Sequence, residues 1–211
     1  YYVSIEENVK LERKQFEKVY AEKEIQDKED YLRRIWEDIG SSSRSAATTR
    51  YLSGPLQTWY IPGDNCGSIA SAICMRYYFD YVSTSYVVPN CIGRDSLIYV
   101  MQQYVGEGAT GTSSLEGGLN VYFFDMNINN YTYSSNDFSF NIIRNRINAK
   151  RPVIIDTDNH PVYYEHWLIA HGYSVIPGNG EYVIVNDGWE HNDVWLSADD
   201  SCLDELIYFR N

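Results

Sequence analysis

Apolar and polar residues follow two different rhythms along the chain. In residues 1–40, Phe16, Val19, Tyr20, Leu32, Ile35, Trp36 and Ile39 recur at steps of three and four, the period of an amphipathic helix. Glu24 and Lys28 lie one turn apart and support the exposed face. Gly40 supplies a C-terminal stop. The pattern predicts an N-terminal helical extension over 1–40, as one long helix or two short ones. The run Ser41-Ser42-Ser43-Arg44-Ser45-Ala46-Ala47-Thr48-Thr49 has no apolar period, and residues 41–54 read as a linker. A charged helix followed by a Ser/Thr linker has the form of a propeptide with its cleavage site. A surface helix docked on the domain has the same pattern.

From Pro55 onward the rhythm is mixed. Residues 66–81 (CGSIASAICMRYYFDY) predict a helix, and Ala70, Ser71 and Ala72 suit close packing against a sheet. A second helix is expected over Asp95–Tyr104. A third is expected over 137–150, capped by Asn136 or Asp137, with Ile142, Ile143 and Ile147 on one face and Pro152 ending it. Between these two, a Gly/Ser/Thr segment leads into LNVYFFDM (119–126), which reads as a strand. VIIDT (153–157), HWLIAHGYSVI (166–176) and EYVIVND (181–187) also read as strands, the last two joined by the hairpin signal Pro177-Gly178-Asn179-Gly180. Helices first and antiparallel strands afterwards predict an α+β domain over residues 55–211.

Charge narrows the possible partners. The 211 residues carry 17 Lys+Arg against 29 Asp+Glu, a formal charge of −12. Residues 1–40 contribute −3 and the remainder −9, and Lys150 is the one lysine after Lys28. An acidic surface repels nucleic acid and anionic membrane alike, and no apolar run approaches the ~18 residues of a membrane span. Twenty tyrosines, few lysines and an acid excess fit the surface of a secreted bacterial protein, extracellular or at the cell surface. The first residue, Tyr1, is what processing or cloning leaves, so a signal peptide would be invisible. Four cysteines are too few for a disulfide scaffold and leave the redox compartment open.

Candidate chemistry centres on Cys66. It follows two helix-capping residue types, Asp64 and Asn65, and opens a helix. The positive end of the helix dipole there favours a thiolate, and Gly67 leaves room for a substrate. A buried structural cysteine has the same local sequence, so a base nearby in space is required. His166 and His171, five apart on one strand, point to opposite faces, and one of them can face the Cys66 helix. His160 and His191 lie in loop-like, exposed sequence. Asn186 or Asp187, at the end of a strand, can orient an imidazole, or can form an Asn-Asp-Gly turn and nothing more. Cys74 reads as core, and Cys91 and Cys202 as a possible pair. The carboxylates of IDTDNHP match no strong metal motif and read as a solvated loop.

Cys-Gly at a helix start, His166 six residues before Gly172-Tyr173, and Tyr-x-x-x-Asn-Asp-x-Trp at a strand end together resemble papain-fold cysteine peptidases. The closest likeness is to bacterial C39-like enzymes similar to the double-glycine leader peptidases. GTSSLEGGLNVYF and FSFNIIRNRINAKRPVII resemble supporting segments of that group, the first of which is helical there. The likeness covers about residues 55–195. It implies a papain-like fold, with a helical half carrying the nucleophile and an antiparallel sheet half carrying the other residues. It implies Cys66 as nucleophile, His166 as base, Asp187 as orienting acid with Asn186 as the alternative, and Gln57 as the nearest candidate oxyanion donor. Gln57 lies nine residues before Cys66, where the family places its glutamine about six before. The activity implied is hydrolysis of peptide bonds through a thioester acyl-enzyme, acting on peptides or proteins, with no metal or other cofactor. Two alternatives share the residues: a catalytically inactive peptide- or surface-binding module, and a Cys-His amidase or acyl transferase.

Overall fold

A computed structural model describes residues 47–189 and 191–210. The predicted extension over 1–40, with its propeptide reading, lies outside the described residues. In chain order the elements are β1 (Thr48–Tyr51), α1 (Cys66–Tyr81), a short 3-10 turn (Thr84–Tyr86), α2 (Arg94–Val105), α3 (Thr112–Asp125), β2 (Thr132–Ser135), α4 (Phe140–Asn148), β3 (Val153–His160), β4 (Tyr164–Ile176), β5 (Gly180–Asn186), β6 (Val194–Ser197) and β7 (Leu203–Phe209). Four α-helices precede five consecutive strands, so the α+β expectation holds. The sheet runs β2-β7-β3-β4-β5-β6, with β1 also on β4, and every pairing is antiparallel.

The long strand β4 is the spine. Its first half, His166 to Ala170, pairs with β3. Its second half, Gly172 to Val175, pairs with β1. β1 therefore continues the line of β3 within the stretch predicted as linker. Its Thr-Thr-Arg-Tyr sequence is β-branched and aromatic, and the Thr49 and Ser174 hydroxyls hydrogen-bond at 2.9 Å.

LNVYFFDM is helical, not a strand, and belongs to α3. Leu115, Gly118, Leu119, Tyr122 and Phe123 are its buried residues, a three-four spacing visible only when the segment is read from Thr112. Gly118 is required by packing: a Cβ there would lie 2.4 Å from the Tyr104 carbonyl oxygen of α2. The helix expected over 137–150 is shorter, with Ser139 at the N-cap in place of Asn136 or Asp137. Asp137 is drawn into a turn instead, its carbonyl accepting from Ser135 Oγ at 2.8 Å.

Helix α1 is buried from Gly67 to Met75 and at Tyr77 and Tyr78, as its uniformly small and apolar sequence demands. Tyr78 stacks on Tyr86 at 4.7 Å and meets the edge of Phe209 at 5.2 Å. Phe123 closes on Phe209 at 5.7 Å. The next residue back, Tyr208, lies under Arg146 of α4 at 4.7 Å, because successive strand residues face opposite ways. Thus α1 and α3 cover one face of the sheet and α4 the other. The tyrosines expected at the surface divide: Tyr77, Tyr78, Tyr122 and Tyr163 are fully buried, whereas Tyr99 and Tyr164 are exposed. Buried phenols keep partners, as when Tyr122 Oη donates to the Tyr86 carbonyl at 2.8 Å. Phe209→Ala is expected to cost about 3–5 kcal/mol in urea denaturation. Phe124→Ala, at a side chain 83% exposed, should change stability by no more than about 0.5 kcal/mol. Equal losses at the two positions would contradict this placement of the core.

Candidate active site

Cys66 is the first residue of α1, preceded by Asn65 at the N-cap. The Asn65 carbonyl takes the Ile69 N–H at 2.9 Å. Its side-chain Oδ1 accepts from Gln102 Nε2 of α2 at 2.9 Å, which ties the helix start to its neighbour. A Cβ on Gly67 would lie 3.0 Å from Thr110 Cβ and 3.4 Å from Leu115 Cδ1. The room expected there for a substrate is taken by the Thr110 segment.

Burial pushes the Cys66 thiol up. The backbone N–H groups of Trp167, Gly67 and Cys66 itself oppose that by hydrogen bonding to the sulfur, and the nearby Asp156 carboxylate adds to it. Burial is the largest of these effects, and the net direction is opposite to the one expected from the helix dipole.

His166 lies on β4 and is buried. Its backbone is clamped from β3: His166 N–H donates to Thr157 Oγ1 and Thr157 Oγ1 donates to the His166 carbonyl, both at 3.1 Å. The imidazole Nε2 is 2.7 Å from the main-chain oxygen of Asp187. A carbonyl can only accept, so Nε2 carries the hydrogen and Nδ1 is the basic nitrogen. Trp189 lies against the ring at 4.0 Å and Tyr163 stacks on it at 5.9 Å. These flat neighbours shield the Nε2–carbonyl bond from water, which strengthens it.

Cys66 and His166 line one cavity of about 260 Å³, together with Trp167, Thr110 and a wall of carboxylates. The other expected residues sit beside it. The carboxylate of Asp187 accepts from Trp189 N–H at 2.8 Å and His191 N–H at 3.0 Å, and meets His191 Nδ1 at 2.8 Å. His166 thus receives the carbonyl of Asp187, while the carboxylate is engaged by the turn that follows. Asn186 is fully buried. Its Nδ2 donates to the Gln57 carbonyl at 3.1 Å and to Asn192, and its Oδ1 accepts from Gly188 N–H at 2.9 Å. Gln57 does not line the cavity. Its main-chain carbonyl anchors the 55–65 segment to the end of β5 through Asn186.

The remaining histidines differ from their sequence reading. His171 sits where the register of β4 with β5 slips between Ala170 and Gly172. It lines a separate cavity with Tyr51 and Asp193, 3.7 Å from the Asp193 carboxylate, and burial pushes its imidazole down. His160, read as exposed loop, is fully buried at the end of β3. Its Nδ1 accepts from Val162 and Tyr163 N–H, each at 3.1 Å, while Nε2 lies 3.5 Å from Asp200 and holds that carboxyl low. His191 is half-buried against Asp187.

All four cysteines are free. Cys74 is fully buried and its thiol is pushed far up by desolvation. Cys91 and Cys202 do not pair: Cys202 lies against the Asn159 carbonyl at 3.6 Å, and Cys91 lies near Tyr122 of α3. Among the described residues no group of three or more His, Cys, Asp or Glu is arranged to hold a metal ion, and no helix is long and apolar enough to cross a membrane.

Sequence reasoning missed three contributors. Trp189 belongs to the strand-end pattern that raised interest, yet only the turn after Asp187 lays it on His166. His191 was set aside as loop. The carboxylate wall comes from three strands and has no linear signature.

The sequence profile of the Peptidase_C39 like family matches residues 51–204. A provisionally assigned C39-like peptidase from Bacillus anthracis, known from a crystal structure, is similar at a TM-score of 0.49 and 13% identity, over 75% of this chain and 96% of its own. A search of curated proteins finds no match.

Proposed function

This chain belongs to the Peptidase_C39 like family, and we propose that it is a cysteine peptidase of papain-like design in which Cys66 is the nucleophile and His166 the general base. One observation carries the reading. Two residues a hundred positions apart in the chain line one cavity, and a carbonyl fixes the imidazole tautomer so that Nδ1 is the basic nitrogen.

The chemistry then runs in two halves. The Cys66 thiol gives its proton to His166 Nδ1, and the sulfur lone pair attacks the peptide carbonyl carbon while the π pair moves onto oxygen. The backbone N–H of Cys66 supplies a donor for that oxygen once the sulfur has attacked. Collapse of the intermediate expels the amine, which takes the proton from Nδ1, and leaves a thioester on Cys66. Water gives a proton to Nδ1, attacks the thioester and releases the acid, and Cys66 recovers its proton. The Asp187 carbonyl stabilises the imidazolium in both halves, since it already accepts from Nε2.

The test is acylation by an activated peptide ester followed by mass spectrometry. One acyl group should form on Cys66, be absent from Cys66→Ala, and be discharged by water even when a competing amine is present. Discharge to amine alone would indicate an acyl transferase, and no acylation at all would indicate a binding module. Because burial raises the thiol, iodoacetamide alkylation of Cys66 without substrate should keep rising with pH beyond the range where a free cysteine levels off. A plateau at neutral pH would contradict that assignment.

A further inference from the structure

We propose that the acidic wall of the Cys66 cavity selects substrates carrying a lysine or arginine side chain next to the scissile bond. This inference rests on the peptidase reading of that cavity and names the substrate class it would take. The cavity is lined by Asp156 and Asp158 from β3, Glu165 from β4 and Asp204 from β7, and among the described residues by no Lys or Arg. Three strands converge to build it, with Asp156 opposite Trp167 and Thr157 opposite Leu203 in the sheet register.

Among the described residues, Arg76 pairs with Asp80, Arg94 with Asp95, and Lys150 gives its ammonium to the Tyr51 carbonyl at 2.9 Å, so these cations are engaged away from the wall. The wall's own hydrogen bonds are neutral: Thr157 N–H to Asp156 at 3.0 Å and Asn159 Nδ2 to Asp158 at 2.8 Å. Burial first, and then the charges of Glu205, Asp204 and Glu165, push the Asp156 carboxyl up to about 7. Carboxylates crowded this way in a partly dry cleft are destabilising for the protein and attract whatever cation completes them. No group among the described residues is arranged to hold a metal ion. The carboxylates are spread along the cavity instead, which suits the forked or mobile head of a basic side chain. The nucleophile feels the same field, because Asp156 is one of the groups that raise the Cys66 thiol. A bound cation offsets that contribution and eases proton transfer to His166, so the correct substrate assists its own attack.

The experiment uses matched peptides that differ by one residue, arginine or its neutral isostere citrulline, on either side of the scissile bond. At low salt the arginine peptide should be favoured about tenfold in kcat/KM, and the preference should shrink as salt screens the wall. In the double variant Asp204→Asn/Glu165→Gln the arginine-to-citrulline ratio should approach one. Glu181→Gln, a charge change of the same sign at an exposed site on β5, should keep the ratio. Binding of the same peptides to Cys66→Ala protein gives the preference without turnover. The groups facing Asp156 are Asp204 and Glu205 from β7, Glu165 and His166 from β4, and Cys66 from α1. As Asp156 ionises, the ratio should climb with pH through about 7, and Asp156→Asn should flatten that climb. A ratio of one in both turnover and binding overturns the inference and leaves the peptidase reading standing. Selective binding with no cleavage or acylation keeps the acidic wall and overturns the peptidase.

Discussion

Cys66→Ala is expected to lower kcat for a fluorogenic peptide by about 10⁴–10⁶-fold, with unchanged circular dichroism. His166→Ala should fall into the same range, and the double variant should be no worse than either single one. In the proposed mechanism sulfur and imidazole act as one unit: without the base the thiol, raised by burial, stays protonated, and without the thiol the base has nothing to activate. What survives is catalysis by substrate binding and by the backbone donors at the helix start. Neither substitution should unfold the protein, since Cys66 is at a helix end and His166 faces a cavity. Multiplying losses in the double variant would show that the two residues act independently and would remove the basis of the mechanism.

Asp187→Ala should combine a large loss of stability with a moderate loss of rate. The carboxylate is buried and serves Trp189 N–H, His191 N–H and His191 Nδ1. Orphaned buried donors cost about 1–3 kcal/mol each, so the three together should cost about 3–5 kcal/mol, or roughly 10 °C in Tm for a domain of this size. The rate should fall about 10²-fold, because the carbonyl that holds His166 Nε2 survives the substitution while the turn presenting it loosens. Asp187→Asn keeps an oxygen for the two backbone N–H groups and loses the best acceptor for His191. Its expected loss is about tenfold in kcat with KM unchanged, reproduced in part by His191→Ala. A drop near 10⁴-fold in Asp187→Asn, the size seen when a triad loses its tautomer, would mean that the carboxylate itself orients the imidazole.

The helix that opens with Cys66 was legible because small and apolar residues run from a capping residue through Met75. β3, β4 and β5 were legible from their apolar runs and from the Pro177–Gly180 turn, where Asn179 N–H returns to the Ile176 carbonyl at 3.0 Å. Other features depend on partners the local sequence does not contain. β1 is polar and becomes a strand only because the second half of β4 has an open side. α3 was hidden because its apolar run, read from Leu119, lacks the first turn that reveals its period. His160 sits among turn-forming residues, and its burial comes from the hairpin folding over it and from Asp200, forty residues later. For the site, residue types single out Cys66 at a helix start and leave His166 and His171 open, and the family resemblance selects His166. The groups that tune them could not be named: Trp189 needs the Asp187 turn, and the wall of Asp156, Asp158, Glu165 and Asp204 exists only in the register of three strands.

The burial of α1 on nearly every side sets the timescale on which the site can be lost. Its backbone amides are shielded by the sheet and by α2 and α3, so they should exchange with deuterium only through global unfolding, among the slowest in the protein. The Cys66 end of that helix has no cheaper route of escape. Thermal inactivation and loss of tertiary structure should therefore follow one curve, with a reversible stage of heat loss in which the chain is folded but the nucleophile is displaced being absent.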